Sequence, residues 1–151
     1  MDFGLAFAED GKCLAPLNAQ LIRDDWHRNS MTTEQLEQRM ANWLEREKYE
    51  AVVLEEAGIE IGYALFRRND DHVYLRQLVV KPDFRRRGIG RPALAWLWAN
   101  AWSDTPRLRI DVLVGNRDGQ EFWQSVGFQP FLRVNGNDVS VFAVVVVSRA
   151  W

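Results

Sequence analysis

The run Arg85-Arg86-Arg87-Gly88-Ile89-Gly90 carries the clearest chemistry in the chain. It follows the apolar stretch Leu78-Val79-Val80-Lys81-Pro82 and leads into a helical pattern. A strand that empties through glycines into a helix start suits phosphate. The first amides of the helix point outward, the helix dipole adds positive potential, and glycine removes the β-carbons that would hold an anion off. The three guanidiniums deepen that field. On its own a Gly-x-Gly is better explained by a tight turn flanked by solvated arginines, so the surrounding elements decide.

Those elements are legible from periodicity. Residues 2–8 alternate weakly as a first strand, which ends at Glu9-Asp10-Gly11. Leu17, Leu21, Ile22 and Trp26 predict a helix from Pro16 to His27, broken by Arg28-Asn29-Ser30. A second helix opens with Thr32 and Gln35 at capping-box spacing and Met31 and Leu36 at staple spacing; Leu36, Met40, Trp43 and Leu44 form its apolar stripe. Runs 50–55 and 59–67, joined by Glu56-Ala57-Gly58, read as a hairpin, and Asn69-Asp70-Asp71 turns the chain into a further strand, His72 to Lys81. The helix after the glycines carries Ile89, Ala93, Leu97 and Ala101 on one stripe. Pro92 stands in its first turn, where the amide it lacks would have had no intrahelical partner. A strand from Leu108 to Val114 and a helix from about Asn116 to Val126, stopped by Gly127, come next. Strands near 128–134 and 139–147, turning at Asn135-Gly136-Asn137, close the chain.

Composition narrows the function classes. At 151 residues the chain has room for one domain, 1–151, with its own core. Hydrophobic residues at 47% and charged residues at 26% are those of an ordinary globular domain. A net charge of −2 and a pI near 5.7 argue against nucleic acid as the partner of the arginine run. Cys13 is the only cysteine, so no internal disulfide is expected, and a reducing, cytoplasmic compartment is the default. The longest apolar run, Val141 to Val147, is too short to cross a bilayer and reads as a buried strand. The two histidines, His27 and His72, stand apart from Cys13 and from carboxylates at ligand spacing, so no metal site is expected.

Two rival motifs fail on context. Gly88-Ile89-Gly90-Arg91-Pro92-Ala93 fits the dinucleotide pattern Gly-x-Gly-x-x-Ala, with Asp111 as a ribose-binding acid. That site needs its strand to run straight into the first glycine, whereas Pro82 to Arg87 intervene. A Walker loop would need Gly-Lys-Ser or Gly-Lys-Thr, and neither occurs.

The glycine run with its strand-and-proline lead resembles the signature of the GNAT superfamily of N-acetyltransferases. So does a second landmark, Asn116 followed by Phe122-Trp123-Gln124-Ser125-Val126-Gly127-Phe128. The resemblance is strong over residues 72–132 and compatible in element order elsewhere. It implies an α/β (α+β mixed) GNAT fold: a mixed, mostly antiparallel sheet of about six to seven strands, splayed between the fourth and fifth, with about four helices. It also implies acetyl-coenzyme A (acetyl-CoA) as acyl donor. The expected cofactor contacts are Leu78, Val79, Val80, Arg85, Arg86, Arg87, Gly88, Ile89, Gly90, Arg91, Asn116, Phe122 and Trp123. The pantetheine arm would lie along residues 78–80 like an added strand, and the backbone amide of Val79 or Val80 would polarise the thioester carbonyl.

The reaction needs a base for the ammonium and gains from a proton donor to the departing thiolate. Many relatives place a tyrosine where this chain has Trp123, whose indole N–H is a very poor acid, so Trp123 reads as packing or as a channel wall. Strand alternation puts Tyr74, Arg76 and Leu78 on one face and Gln77 on the other, making Tyr74 and Arg76 substrate-side candidates. Asp25 and His27, at the end of the first helix, are further candidates. The function expected is transfer of an acetyl group from acetyl-CoA to a primary amine, of a small molecule in preference to a protein. The alternative is a non-catalytic acyl-CoA-binding module or regulator, motivated by Trp123. An oligomeric or scaffold role through the apolar last strand is a third reading, and a homodimer stays open.

Overall fold

The computed structural model describes residues 1–24, 31–85, 87–104, 107–113, 117–127, 129–134 and 140–146; for residues 8, 20–24, 111–113, 129–134 and 140–146 it describes the backbone alone. The elements run β1 (Asp2–Ala6), α1 (Gly11–Asp24), α2 (Thr33–Glu45), β2 (Glu50–Glu56), β3 (Ile59–Arg68), β4 (Val73–Val80), α3 (Gly90–Asn100), β5 (Leu108–Leu113), α4 (Arg117–Ser125), β6 (Gln129–Val134) and β7 (Ser140–Val146). One seven-stranded sheet takes the order β1-β2-β3-β4-β5-β7-β6. Every neighbouring pair is antiparallel except β4 and β5, the two strands joined through α3.

Each face of the sheet is covered by one pair of helices, because alternate strand residues point to opposite sides. On one face Ala64, Phe66, Val73, Leu75, Leu108 and Ile110 pack against Leu94, Leu97 and Trp98 of α3 and Trp123 of α4. On the other, Ala51, Val53, Tyr63, Leu65 and Val79 pack against Leu14 and Leu17 of α1 and Met40 and Trp43 of α2. β1 is tied to α3 by Phe3, whose ring stacks on Trp96 with centroids 4.1 Å apart.

The local signals act largely as read. Thr32 caps α2 through its hydroxyl, which accepts from the Gln35 amide, while the Gln35 side chain accepts from the Thr32 amide. The β2–β3 turn holds Ala57 and Gly58 at φ 51° and 79°, the left-handed pair that a two-residue hairpin demands. Gly127, at φ 97°, follows α4 as its stop.

The first helix corrects the sequence reading. It begins at Gly11 and carries Pro16 in its interior. Glu9 and Asp10, read as the turn that stops the first strand, do lie in a turn, a 3-10 turn (Ala8–Asp10) that feeds straight into the helix, with the Phe7 amide donating to the Asp10 carboxylate at 2.7 Å. Pro16 is exposed, and the stripe that holds the helix down is Leu14, Leu17 and Asn18, all buried. Trp26 to Ser30, the turn 135–137 and Asn116 lie outside the described residues.

Gly62 of β3 lies against β4, and a β-carbon there would run into the Val79 carbonyl oxygen. We expect Gly62→Ala to cost about 1–3 kcal/mol, or about 2–4 °C of Tm for each kcal/mol. Thermal and urea unfolding check this; an unchanged midpoint would contradict the close approach.

Candidate active site

The parallel pair β4–β5 is short. Val73 pairs with Leu108, Tyr74 with Arg109 and Leu75 with Ile110, and among the described residues no further pairing joins the two strands. β4 nevertheless runs on to Val80 and β5 to Leu113, so the sheet opens into a gap toward their C-terminal ends. A strand edge left unpaired in this way presents a row of backbone donors and acceptors.

Which of those groups face the gap follows from strand alternation. The Lys81 amide donates to the Ile61 carbonyl at 2.7 Å, so odd-numbered backbone groups at this end of β4 point toward β3. The Val80 carbonyl instead accepts from Arg85 Nε at 2.8 Å, on the opposite side. The expectation that the Val79 amide faces a ligand is therefore corrected: that amide lies in the ladder with β3, where Val79 is opposite Tyr63. Leu78 and Val80 turn their backbone groups to the gap.

Below the gap the chain passes through a 3-10 turn at Pro82–Phe84 into the glycine run. Gly88 adopts φ 70°, which favours glycine, and open space lies where its β-carbon would be. Ile89 occupies the cap position of α3 and makes no side-chain cap, so among the described residues no side chain takes up the first amides, those of Gly90 and Arg91. A β-carbon on Gly90 would come within 2.7 Å of the Phe122 ring, so glycine is what lets the helix start sit against α4. The arginines serve different ends. Arg85 reaches back to β4, Arg87 is exposed with its guanidinium 5.2 Å from the Phe84 ring centroid, and Arg91 donates to the Ser125 carbonyl at the end of α4 at 3.0 Å. Arg86 lies outside the described residues.

Trp123 is 6% exposed and belongs to the core beneath α3, while Phe122 meets it edge-on at 4.9 Å and lies nearer the glycine run. Of the two readings of Trp123, packing is the one its position supports.

On the α1–α2 face the sequence reading of β4 needs a second correction. Leu65 is opposite Gln77 and Phe66 opposite Leu75, which leaves Arg76 as an extra residue, a β-bulge. The bulge resets the alternation. Tyr74 and Val79 pack with the α1–α2 core, Gln77 bonds to Tyr63 of that core, and the Arg76 guanidinium reaches Tyr49 Oη at 3.4 Å. Leu78 packs on the α3 side. Tyr74 and Arg76 thus share their face with Gln77, not with Leu78.

Two further clusters share this face, and most of their members are not marked in the sequence. Tyr63 donates to Gln77 Oε1 at 2.6 Å, and Gln77 Nε2 donates to Asn18 Oδ1 at 2.9 Å, a buried polar chain from sheet to α1. Burial pushes the Tyr63 hydroxyl far above the usual tyrosine range. Beside that chain, Arg39 and Arg76 both lie over the Trp43 ring, at 4.5 and 4.6 Å, and Arg67 lies 5.0 Å from the Tyr49 centroid. Burial, then the charge of Arg76, lowers the pKa of the Arg39 guanidinium. Arg109 faces the Tyr74 ring at 5.7 Å. Asp25 and His27 lie outside the described residues. Among the described residues no cluster of three or more His, Cys, Asp or Glu could hold a metal, and no helix is long and apolar enough to cross a membrane.

The sequence model of the acetyltransferase (GNAT) family matches residues 18–128. The chain belongs to that family. Comparison with curated proteins gave no match. Among solved structures, the chain is similar to the ribosomal-protein-alanine N-acetyltransferase of Brucella melitensis, with 21% identity, TM-score 0.73, and 98% of this chain and 100% of that one covered. An acetyltransferase of Thermus thermophilus gives 20% identity and TM-score 0.72, with 97% of each chain covered. A mutant form of the spermidine N-acetyltransferase of Vibrio cholerae gives 15% identity and TM-score 0.73, with 97% and 95% covered. These likenesses establish a GNAT fold over nearly the whole chain, and the family is one of acyl-transferring enzymes.

The Tyr63 assignment makes a pH prediction. Its folded pKa lies above the value of about 10 of an unfolded tyrosine, so its contribution to stability is whole below pH 10 and is lost as pH rises toward the folded value. Relative to Tyr63→Phe, the wild-type chain should lose about 1.4 kcal/mol of stability per pH unit above that point. Parallel denaturant titrations of both proteins between pH 9 and 11 read the difference; identical slopes would mean that the hydroxyl is not closed off from water.

Proposed function

We propose that this GNAT-family chain transfers the acetyl group of acetyl-CoA to the primary amine of a small molecule, and that the gap between β4 and β5 is where it does so. One observation carries the reading. The unpaired edge of β4 at Leu78 and Val80 leads directly into an uncapped helix start behind Gly88 and Gly90. The edge matches the amide groups of a pantetheine arm, and the helix start matches a pyrophosphate. The space beside Gly88 is open to a bulky anion, so the residues present fit the cofactor.

When bound, acetyl-CoA supplies the activated thioester. The chain does the rest. The amides of Gly90 and Arg91, with the exposed Arg87 guanidinium, would hold the pyrophosphate. Gap-facing backbone at Leu78 and Val80 would hold the pantetheine arm, and the Val80 or Leu78 amide would be the hydrogen-bond donor to the thioester carbonyl. Tyr74, half-buried at the last stretch of pairing between β4 and β5, is our candidate for the proton transfer. Asp25 remains a second candidate for the same role, on sequence grounds.

The non-catalytic reading is not favoured. Its motive is Trp123 in the place of an acidic hydroxyl, and against it stands the match of residues 18–128 to a family of acetyltransferases.

A thiol-release assay with acetyl-CoA over a panel of amines tests the activity, alongside calorimetric titration with acetyl-CoA. Micromolar to millimolar binding with turnover of at least one amine is expected. No binding heat and no thermal shift at millimolar acetyl-CoA would remove the basis of the proposal. Within an active enzyme, Tyr74→Phe should lower kcat about 100-fold while leaving the acetyl-CoA affinity in place. An unchanged kcat takes Tyr74 out of the chemistry.

A further inference from the structure

Three guanidiniums converge on the α1–α2 face beside the gap: Arg39 from α2, Arg67 from β3 and Arg76 from the bulge of β4. They share two rings, since Arg76 lies over both Trp43, at 4.6 Å, and Tyr49, at 5.8 Å, while Arg39 shares the first ring and Arg67 the second. None of the three forms an ion pair with a carboxylate among the described residues, where the ion pairs are Arg68 with Glu50 and His72 with Asp71. The Nε groups of Arg39 and Arg67 are shut off from solvent and have no hydrogen-bond partner there. Like charges gathered at this spacing repel, and half-buried donors left unsatisfied add to the cost. Aromatic faces offset part of it and fix the side chains in place. An oxyanion would offset the rest, and the planar fork of arginine is matched to carboxylate and phosphate.

The place of the cluster says which anion this is. Arg76 directly follows Leu75, the last residue of β4 that pairs with β5, so the cluster borders the closed end of the gap. Val80, where the strand turns toward the glycine run, lies about 13 Å farther along at ~3.3 Å per residue. The cofactor's pyrophosphate belongs to that other end, and the cluster is left to whatever approaches the thioester from the α1–α2 face.

We propose that the acceptor amine carries an acidic group, a carboxylate or a phosphate, and that Arg39, Arg67 and Arg76 bind it. The inference rests on the acetyl-transfer reading of the same gap and deepens it. It sets this chain apart from an enzyme for polyamines, which would bring positive charge to a positive surface.

The test is a four-arm acceptor panel in the thiol-release assay: α-amino acids, their carboxamides, an aminoalkyl phosphate and spermidine. Acidic acceptors should exceed their neutral counterparts and spermidine by about tenfold or more in kcat/KM. The amino-acid and phosphate arms decide which oxyanion is preferred. Arg76→Gln and Arg67→Gln should abolish the ratio by raising the KM of the acidic acceptor, with the calorimetric affinity for acetyl-CoA within about twofold of wild type. An enzyme that binds acetyl-CoA and turns over carboxamides or spermidine as well as acidic amines would overturn the inference and leave the activity standing. A second measurement does not need turnover: the thermal shift produced by N-acetylated amino acids and by inorganic phosphate should be present in wild type and absent in Arg76→Gln. Equal shifts in the two, or none in wild type, would also overturn it.

Discussion

The backbone hydrogen bonds that β4 does not make to β5 are the feature on which the rest of the structure depends. Two parallel strands joined by a helix would ordinarily pair along their length, and here pairing stops at Leu75 and Ile110. Unpaired amides and carbonyls inside a fold carry a cost unless something takes them up. The flanking structure is built to keep the opening. Packing of α3 and α4 holds one face, packing of α1 and α2 holds the other, and the far strands β7 and β6 stay attached to β5 rather than to β4.

The bulge at Arg76 works with that opening. An extra residue bends a strand and increases its twist, and here it falls immediately after the last β4–β5 pair. It also redistributes polarity. Without it Gln77 and Arg76 would point to opposite faces; with it both serve the α1–α2 side, where Gln77 completes a buried chain through Tyr63 to Asn18. Position on the strand thereby separates two kinds of group, backbone donors and acceptors toward the gap and charged side chains toward the helices.

Much of this is legible in the residues themselves. The capping box of α2, the Ala57-Gly58 turn, the glycine-led start of α3 and the stop at Gly127 are local devices, and local devices leave sequence marks. What escapes is non-local. The bulge contains no glycine and keeps the alternating burial of β4, so a period-2 reading runs straight through it and misassigns the faces of Leu78 and Gln77. The direction of the Val79 amide depends on register with β3, which no single strand reveals. Asn18, Tyr49 and Arg67 come to the site from three different parts of the chain. Only Arg39 offers a hint, four residues before Trp43 on the same helix stripe. The start of α1 escapes because Pro16 reads as a boundary, although an exposed proline is tolerated on a helix held down by Leu14 and Leu17.

The contact between Gly90 and Phe122 bears on how the protein is made. The glycine run and the ring that packs on it are separated by α3, β5 and part of α4, so a chain leaving the ribosome possesses the glycine run well before the side chain that seats it. Closing so long a loop is entropically slow compared with forming the early hairpin of β2 and β3. The seating of this helix start against α4 is therefore acquired after the early hairpin, and a product truncated before Phe122 would carry the glycine run without the ring that packs on it.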